Sequence, residues 1–209
     1  MKISVSTLDS FQYYLDNDKS QDDFIQELIT RRESRPMNIG IAFENILQQP
    51  ENYFLYTHYE YKGIRFETEQ INACLDYINS FKATWQVKMT KEYDTDYGLV
   101  TLSGKTDILH GLIIEDIKTT ANYSYDKYAN SWQWRCYLDM FDIDNFVYYI
   151  AEIKDGDEMV FIKDTHIIKL SGYDNMNNDI RTILNKFVQF ILDNNLGKYF
   201  GYDSNIIMV

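Results

Sequence analysis

Asp107, Asp116 and Lys118 are the residues of this chain whose types and spacing best suit a chemical task. They lie in the segment Leu102-Ser-Gly-Lys-Thr-Asp107-Ile-Leu-His-Gly-Leu-Ile-Ile-Glu-Asp116-Ile-Lys118-Thr-Thr120. Folded as a hairpin turning at His110-Gly111, this segment sets Leu109 against Leu112, Asp107 against Ile114 and Lys105 against Asp116. Side chains that oppose one another, or lie two apart on one strand, share a face of a sheet. Asp107, Asp116 and Lys118 therefore project from one side and Glu115 from the other. The two aspartates become diagonal neighbours, roughly 7–8 Å apart at the backbone, and both reach one cation.

Two carboxylates and a lysine in this arrangement suit phosphodiester hydrolysis. Mg²⁺ binds through few carboxylates and keeps several waters. It lowers the pKa of a bound water and neutralises charge on the reacting phosphate. The carbonyl of Ile117 adds a further oxygen ligand, and Lys118 can stabilise developing negative charge. A ladder of surface ion pairs would place the same residue types on a solvent-facing sheet, so the segment alone leaves both readings open.

The elements around this segment follow from periodicity. Leu8, Phe11, Tyr14 and Leu15 mark a first helix, with capping chemistry in Ser6-Thr7-Leu8-Asp9. Phe24 to Ile29, Ile41 to Gln49 and residues 67–81 continue as helices, and residues 53–60 look extended. Strands are expected over 84–93, 99–109, 112–118, 146–153 and 159–163, with a short one over 166–170. Helices are expected over 130–142 and 175–195, with Gly197 closing the last. The order predicts an α/β or α+β fold, a mixed central sheet flanked by helices. With 209 residues and no Pro/Gly/Ser-rich linker, a single domain over 1–209 is the simplest organisation.

Composition constrains function in both directions. The formal net charge of -12 argues against a broad nucleic-acid-binding surface. It fits either a small local basic patch beside a carboxylate site or a protein that offers carboxylates to a basic partner. Two cysteines, Cys74 and Cys136, cannot build a four-thiolate metal site. Free thiols, no signal-like apolar run near the start and no apolar stretch of membrane-spanning length lead to the expectation of a soluble, cytoplasmic protein.

The run Gly104-x-x-Asp107 followed by Ile-Ile-Glu-Asp116-Ile-Lys118-Thr-Thr resembles the PD-(D/E)xK nuclease superfamily, in particular its RecB-like and lambda-exonuclease-like branch. Gln133-Trp-Arg-Cys-Tyr137 is similar to that branch's Gln-x-x-x-Tyr motif, and its two ends share a helix face. Gly40-Ile-Ala-Phe43-Glu44 matches the early helix that carries a metal-site residue, with Glu44 where the branch often has His. Ile3-Ser4-Val5-Ser6-Thr7-Leu8-Asp9-Ser10-Phe11 looks like the Ser-x-Ser-x-Leu-x-x-Phe start of many such domains. The resemblance spans residues 3–140, and Thr106 stands where the superfamily's proline would precede Asp107.

The resemblance implies a restriction-endonuclease-like core and a metal-dependent DNA nuclease, an exonuclease ahead of an endonuclease, in recombination, repair or phage DNA metabolism. Glu44, Asp107 and Asp116, with the Ile117 carbonyl, would hold Mg²⁺ or Mn²⁺, and Lys118 would assist. Gln133 and Tyr137 would position the DNA strand, with Arg135 and Lys105 as further DNA contacts. DNA is the implied partner, with a recombination or replication protein as a further one and no membrane. The alternative is a non-catalytic nucleic-acid- or protein-binding module on the same fold.

Other polar residues carry weaker signals. His58, His110 and His166 lack metal-ligand spacing, and His110 falls in the expected turn. Lys88, Lys91 and Lys127 are candidate phosphate contacts or plain surface lysines. Arg31, Arg32 and Arg35 form the densest basic cluster, placed to guide a strand towards Glu44. Asp94 and Asp96 lie in a polar turn and need no function.

Overall fold

A strand covered on both faces reads as a continuous apolar run, and Asn145–Asp155 is such a run. Its Phe146, Tyr148 and Ile150 enter one apolar cluster, while Tyr149, Ala151 and Ile153 enter another on the opposite face. In the computed structural model, which describes residues 1–30 and 33–202, this strand is central in a mixed sheet between two helical layers.

The strands are β1 (Lys2–Ser4), β2 (Phe54–Leu55), β3 (His58–Tyr61), β4 (Ile64–Glu67), β5 (Thr84–Thr95), β6 (Gly98–His110), β7 (Ile113–Thr120), β8 (Asn145–Asp155) and β9 (Val160–Ser171). Across the sheet they run β1-β6-β7-β8-β9-β4-β3-β2, and β5 also pairs with β6. The pairs β1–β6, β7–β8 and β4–β9 are parallel and the rest antiparallel. The helices are α1 (Val5–Asp16), α2 (Gln21–Ile29), α3 (Arg35–Gln48), α4 (Thr68–Ile78), α5 (Tyr125–Ala129), α6 (Trp132–Phe141) and α7 (Met176–Asp193). Leu8, Phe11, Leu138 and Phe187 bring α1, α6 and α7 onto one face of the sheet. Phe43, Ile46 and Ile71 bring α3 and α4 onto the other. This is the α/β sheet-and-helix architecture expected from the sequence. No helix among the described residues is long and apolar enough to cross a membrane.

Several local expectations change. The hairpin turns at Gly111-Leu112 instead of His110-Gly111, pairing His110 with Ile113, Leu109 with Ile114 and Ile108 with Glu115. Gly111 has φ +57°, a conformation open to glycine, and this fixes the turn one residue later than expected. The shift moves the register by two residues, so Asp107, Asp116 and Lys118 keep one predicted face and Glu115 the other. His110 is consequently the last residue of β6 and not part of the turn.

The extended stretch over 53–60 is two short strands broken at Tyr56, which has positive φ. The two segments at 159–163 and 166–170 are one strand, β9, whose β-bulge against β8 interrupts the alternation. Ser4, not Ser6 or Thr7, caps α1 by accepting from the Thr7 N–H at 3.1 Å. Asn195, at φ 56°, takes the left-handed position after α7 that Gly197 was expected to fill.

Asp139 on α6 ties three elements together. Its Oδ2 accepts from the Tyr93 hydroxyl at 2.5 Å and pairs with Lys91 Nζ at 2.8 Å, both from β5. Asn177 Nδ2 of α7 donates to Oδ1 at 3.1 Å. Lys91 is thereby committed to the fold and not to a phosphate. Burial alone would raise the Asp139 pKa, but its hydrogen bonds from Lys91, Tyr93 and Asn177 outweigh this and hold it below the usual value. A depressed carboxyl stabilises the fold above its unfolded pKa, and that contribution is lost as pH falls through the folded value. Asp139→Asn should therefore cost about 1–3 kcal/mol at pH 7. The gap from wild type in urea melts should narrow below about pH 4, the ordinary Asp value. An equal gap at pH 7 and in acid would remove Asp139 ionisation from the account.

Candidate active site

The site begins at a break in the edge of β6. One edge of this strand is paired with β5 from Gly98 to Leu109, except at Asp107. The other is shared, with β1 on Thr101–Ser103 and β7 on Ile108–His110. Residues Gly104 to Asp107 lie between, without a strand partner on that edge. Backbone groups bordering this gap need other partners. The Lys105 carbonyl accepts from the Tyr137 hydroxyl at 2.9 Å. The Ile117 N–H of β7 donates to Asp107 Oδ2 at 2.8 Å. A carboxylate thus takes over the bond a ladder would have made.

Three acidic residues meet at this gap. Asp107 and Asp116 are 8% and 1% exposed, on the face predicted for them. Glu44 arrives from the other layer on α3, which lies close to β7 because Gly40 has no side chain: a Cβ there would stand 3.3 Å from Thr119 Oγ1. The charges of Asp107, Lys105 and Lys118 all act on Glu44. Lys118 Nζ is in ion-pair contact with Asp116 Oδ2. Glu115 points away, as expected, and is held by the Tyr77 hydroxyl at 2.5 Å and by His110 Nε2 at 3.3 Å.

The electrostatics are those of too many carboxylates for the cations present. Burial, reinforced by the Asp107 charge, pushes Glu44 up to about 7. Burial likewise pushes Asp116 up to about 8; the Lys118 ammonium opposes this, and Asp107 and Glu44 add to it. For Lys118, burial acts to lower the pKa, but Asp116 and Asp107 outweigh it and hold the ammonium charged. Asp116 Oδ2 is buried, and its contact is the Lys118 ammonium.

Among the described residues no group of three His, Cys, Asp or Glu side chains closes on one point as a protein-only metal cage would. Each acid is instead held by protein donors: Asp107 by Ile117, Glu44 by the Gln86 amide, and Asp116 by Lys118 and Gln133. An all-oxygen, partly open donor set of this kind suits Mg²⁺ or Mn²⁺, which retain waters, better than a cation needing a closed cage.

The Gln-x-x-x-Tyr helix turns towards the acids. Gln133 Nε2 donates to Asp116 Oδ1 at 2.9 Å, and Tyr137 packs so tightly on β6 that a Cβ at Gly104 would lie 2.4 Å from its ring. Asp9 of α1 holds this helix in place, its Oδ1 accepting from Ser131 Oγ and the Trp132 N–H, both at 2.8 Å. An acid accepting from the first N–H groups of a helix is a capping interaction. Asp9 was legible only as local capping chemistry for α1; its partner lies more than a hundred residues away. Gln86 was not singled out at all.

Other predicted contacts fall elsewhere. Arg135 lies on the far face of α6, with its guanidinium 4.4 Å from the Trp134 ring and donating to the Ser131 carbonyl at 2.5 Å. Arg35 pairs with Asp155 through both oxygens, at 2.6 and 2.7 Å, and Arg31 and Arg32 lie outside the described residues. Lys105 does not oppose Asp116; it pairs across the ladder with Lys88. Lys127 lies over the Tyr128 ring, 5.3 Å away. His58 and His166 stand beside Glu60 and Glu152. Asp96 bonds Asn185 of α7, a structural tie.

No protein-family model matches this sequence, and no curated protein matches it. Solved structures do match in fold. The crystal structure of SSO0001 superposes with a TM-score of 0.55 at 12% identity, covering 90% of this chain and 75% of that one. The alkaline exonuclease LHK-Exo from Laribacter hongkongensis gives 0.52 at 13% identity, over 94% and 91% of the two chains. LHK-Exo in complex with dAMP gives 0.53 at 12% identity, over 94% and 92%. The chain therefore shares its fold with these structures, two of them of an alkaline exonuclease, and this is the fold that the resemblance of its motifs implies.

The contact between Gly104 and Tyr137 can be tested directly. Gly104→Ala should lower stability by about 1–3 kcal/mol, because the ring and β6 must separate. Gly104→Ala in a Tyr137→Ala background should cost much less. Equal costs in both backgrounds, measured by thermal denaturation, would show that the ring does not enforce the glycine.

Proposed function

We propose that this protein is a divalent-cation-dependent DNA nuclease that removes nucleotides from DNA ends. The observation that carries the reading is the gap in the sheet with Glu44, Asp107 and Asp116 gathered around it, buried or half-buried, and Lys118 as the ammonium in contact with Asp116. Carboxylates are gathered at this density, against their mutual repulsion, where a cation is to be held. Glu44, Asp107 and Asp116, with the Ile117 carbonyl, would hold Mg²⁺ or Mn²⁺. When bound, the ion supplies charge neutralisation at the phosphate and a more acidic water.

The chain's own groups supply the remainder. Lys118, kept charged by Asp116 and Asp107, faces developing negative charge on the phosphate oxygens. Gln133 fixes the Asp116 carboxylate through Oδ1, and Lys118 holds it through Oδ2. Lys88 and Lys105, directly paired across β5 and β6, line a groove with Ser4, Ser6 and Ser103 beside the gap. Like charges placed opposite one another repel, and an anionic backbone lying between them relieves this. This local patch reconciles a nucleic-acid substrate with the net charge of -12. The end-directed reading draws on the fold shared with LHK-Exo, solved with the mononucleotide dAMP. A role in recombination, repair or phage DNA metabolism is consistent with such an activity.

The test is cleavage of end-labelled linear DNA and of circular DNA, with Mg²⁺, Mn²⁺ or EDTA. Linear DNA should be degraded only with metal, and Asp116→Ala and Lys118→Ala should each lose on the order of a hundredfold or more. Cutting of circles would make the activity endonucleolytic. Binding of DNA with no cleavage by wild type under any metal would replace the enzyme with a binding module on the same fold.

A further inference from the structure

Gln86 occupies a position whose backbone does not explain its side chain. It lies within β5 with φ +57°, in the left-handed region. Its strand neighbours pair normally, Trp85 with Ile108 and Val87 with Thr106, but the Gln86–Asp107 pair between them is missing from the ladder. Both strands change facing around this level. β5 gives Met89 and Tyr93 to the cluster under α1, α6 and α7 but Trp85 to the one under α3 and α4. β6 gives Val100 and Leu102 to the first and Ile108 to the second. A left-handed residue accounts for the change of facing, and glycine or asparagine would supply it with less strain.

What glutamine adds is reach. Its amide Nε2 donates to Glu44 Oε1 across the gap, from directly opposite Asp107. We infer that Gln86 is a positioning residue: its amide fixes one oxygen of the Glu44 carboxylate, so that the other is presented beside Asp107 as a cation ligand. This rests on the metal-dependent reading of the site. Groups that orient metal ligands typically contribute 10–100-fold to metal affinity. The positive φ belongs to the fold and the amide to the site, and substitution separates the two.

The experiment uses the full chain and Mn²⁺ alone, with affinity read by calorimetry and thermal midpoint read without metal. Gln86→Gly and Gln86→Asn both suit the left-handed backbone, but glycine has no amide and asparagine's is one methylene short. Both should match or exceed the wild-type midpoint without metal and bind Mn²⁺ about tenfold or more weakly. Gln86→Ala should bind equally weakly and be less stable than Gln86→Gly. Wild-type Mn²⁺ affinity in the glycine and asparagine variants would overturn the inference while leaving the metal site standing. Wild type that binds no Mn²⁺, and is indistinguishable from Asp116→Ala, would overturn the metal-dependent reading and this inference with it.

Discussion

The hydrogen bond from the Ile117 N–H to the Asp107 carboxylate is the contact on which the site depends. Hydrogen-bonding demand along a strand edge is strict, and an N–H left bare inside a protein costs about 1–3 kcal/mol. β7 leaves β6 after Ile108, and β1 does not take up the vacated edge until Ser103. The sheet can remain open over this interval only if side chains satisfy the stranded groups. Asp107 does so from within the sheet and Tyr137 from the helix above it. The opening lets an acid on α3, from one layer, share charge with acids that face the other.

The helical layer over the opening is arranged to the same end. Asp9 fixes the start of α6, Asp139 fixes its end to β5 and α7, and between them Gln133 and Tyr137 reach down to Asp116 and β6. The Gln-x-x-x-Tyr spacing works here because the two side chains lie one turn apart over a gap wide enough for both. Gly104 is required by the closeness of that approach, not by its backbone angles, since a Cβ there would overlap the Tyr137 ring.

Much of this was legible from sequence because a sheet has period two. The hairpin register was misplaced by two residues, yet Asp107, Asp116 and Lys118 kept one face and Glu115 the other, since an even shift preserves facing. Apolar periodicity located α1, α3, α4 and α7 for the same reason: it reports which side of an element is buried. The three-residue β1 and the short β2–β4 strands carry too few residues for any period to show. Arg135 and Lys91 find an aromatic ring and a carboxylate, partners that a basic side chain in a sequence does not reveal. Asp9 and Gln86 stayed hidden because their meaning lies in partners distant along the chain.

The acidity of the chain and a nucleic-acid substrate are compatible once charge is considered locally. Exposed charges more than about a Debye length apart, roughly 8–10 Å in physiological salt, are largely screened from one another. Acids already neutralised by a basic partner, such as Asp155 with Arg35 and Glu152 with Lys163, add little further field. The charges that govern the gap are the ones bordering it: three carboxylates, Lys118, and the opposed Lys88 and Lys105. Within that set the carboxylates are crowded and partly desolvated, while Lys88 and Lys105 line the adjoining groove. A divalent cation would relieve the first imbalance and a phosphodiester backbone the second. Each also attracts the other, so binding of ion and strand at this site should be mutually reinforcing, because relief of one imbalance leaves the other more exposed.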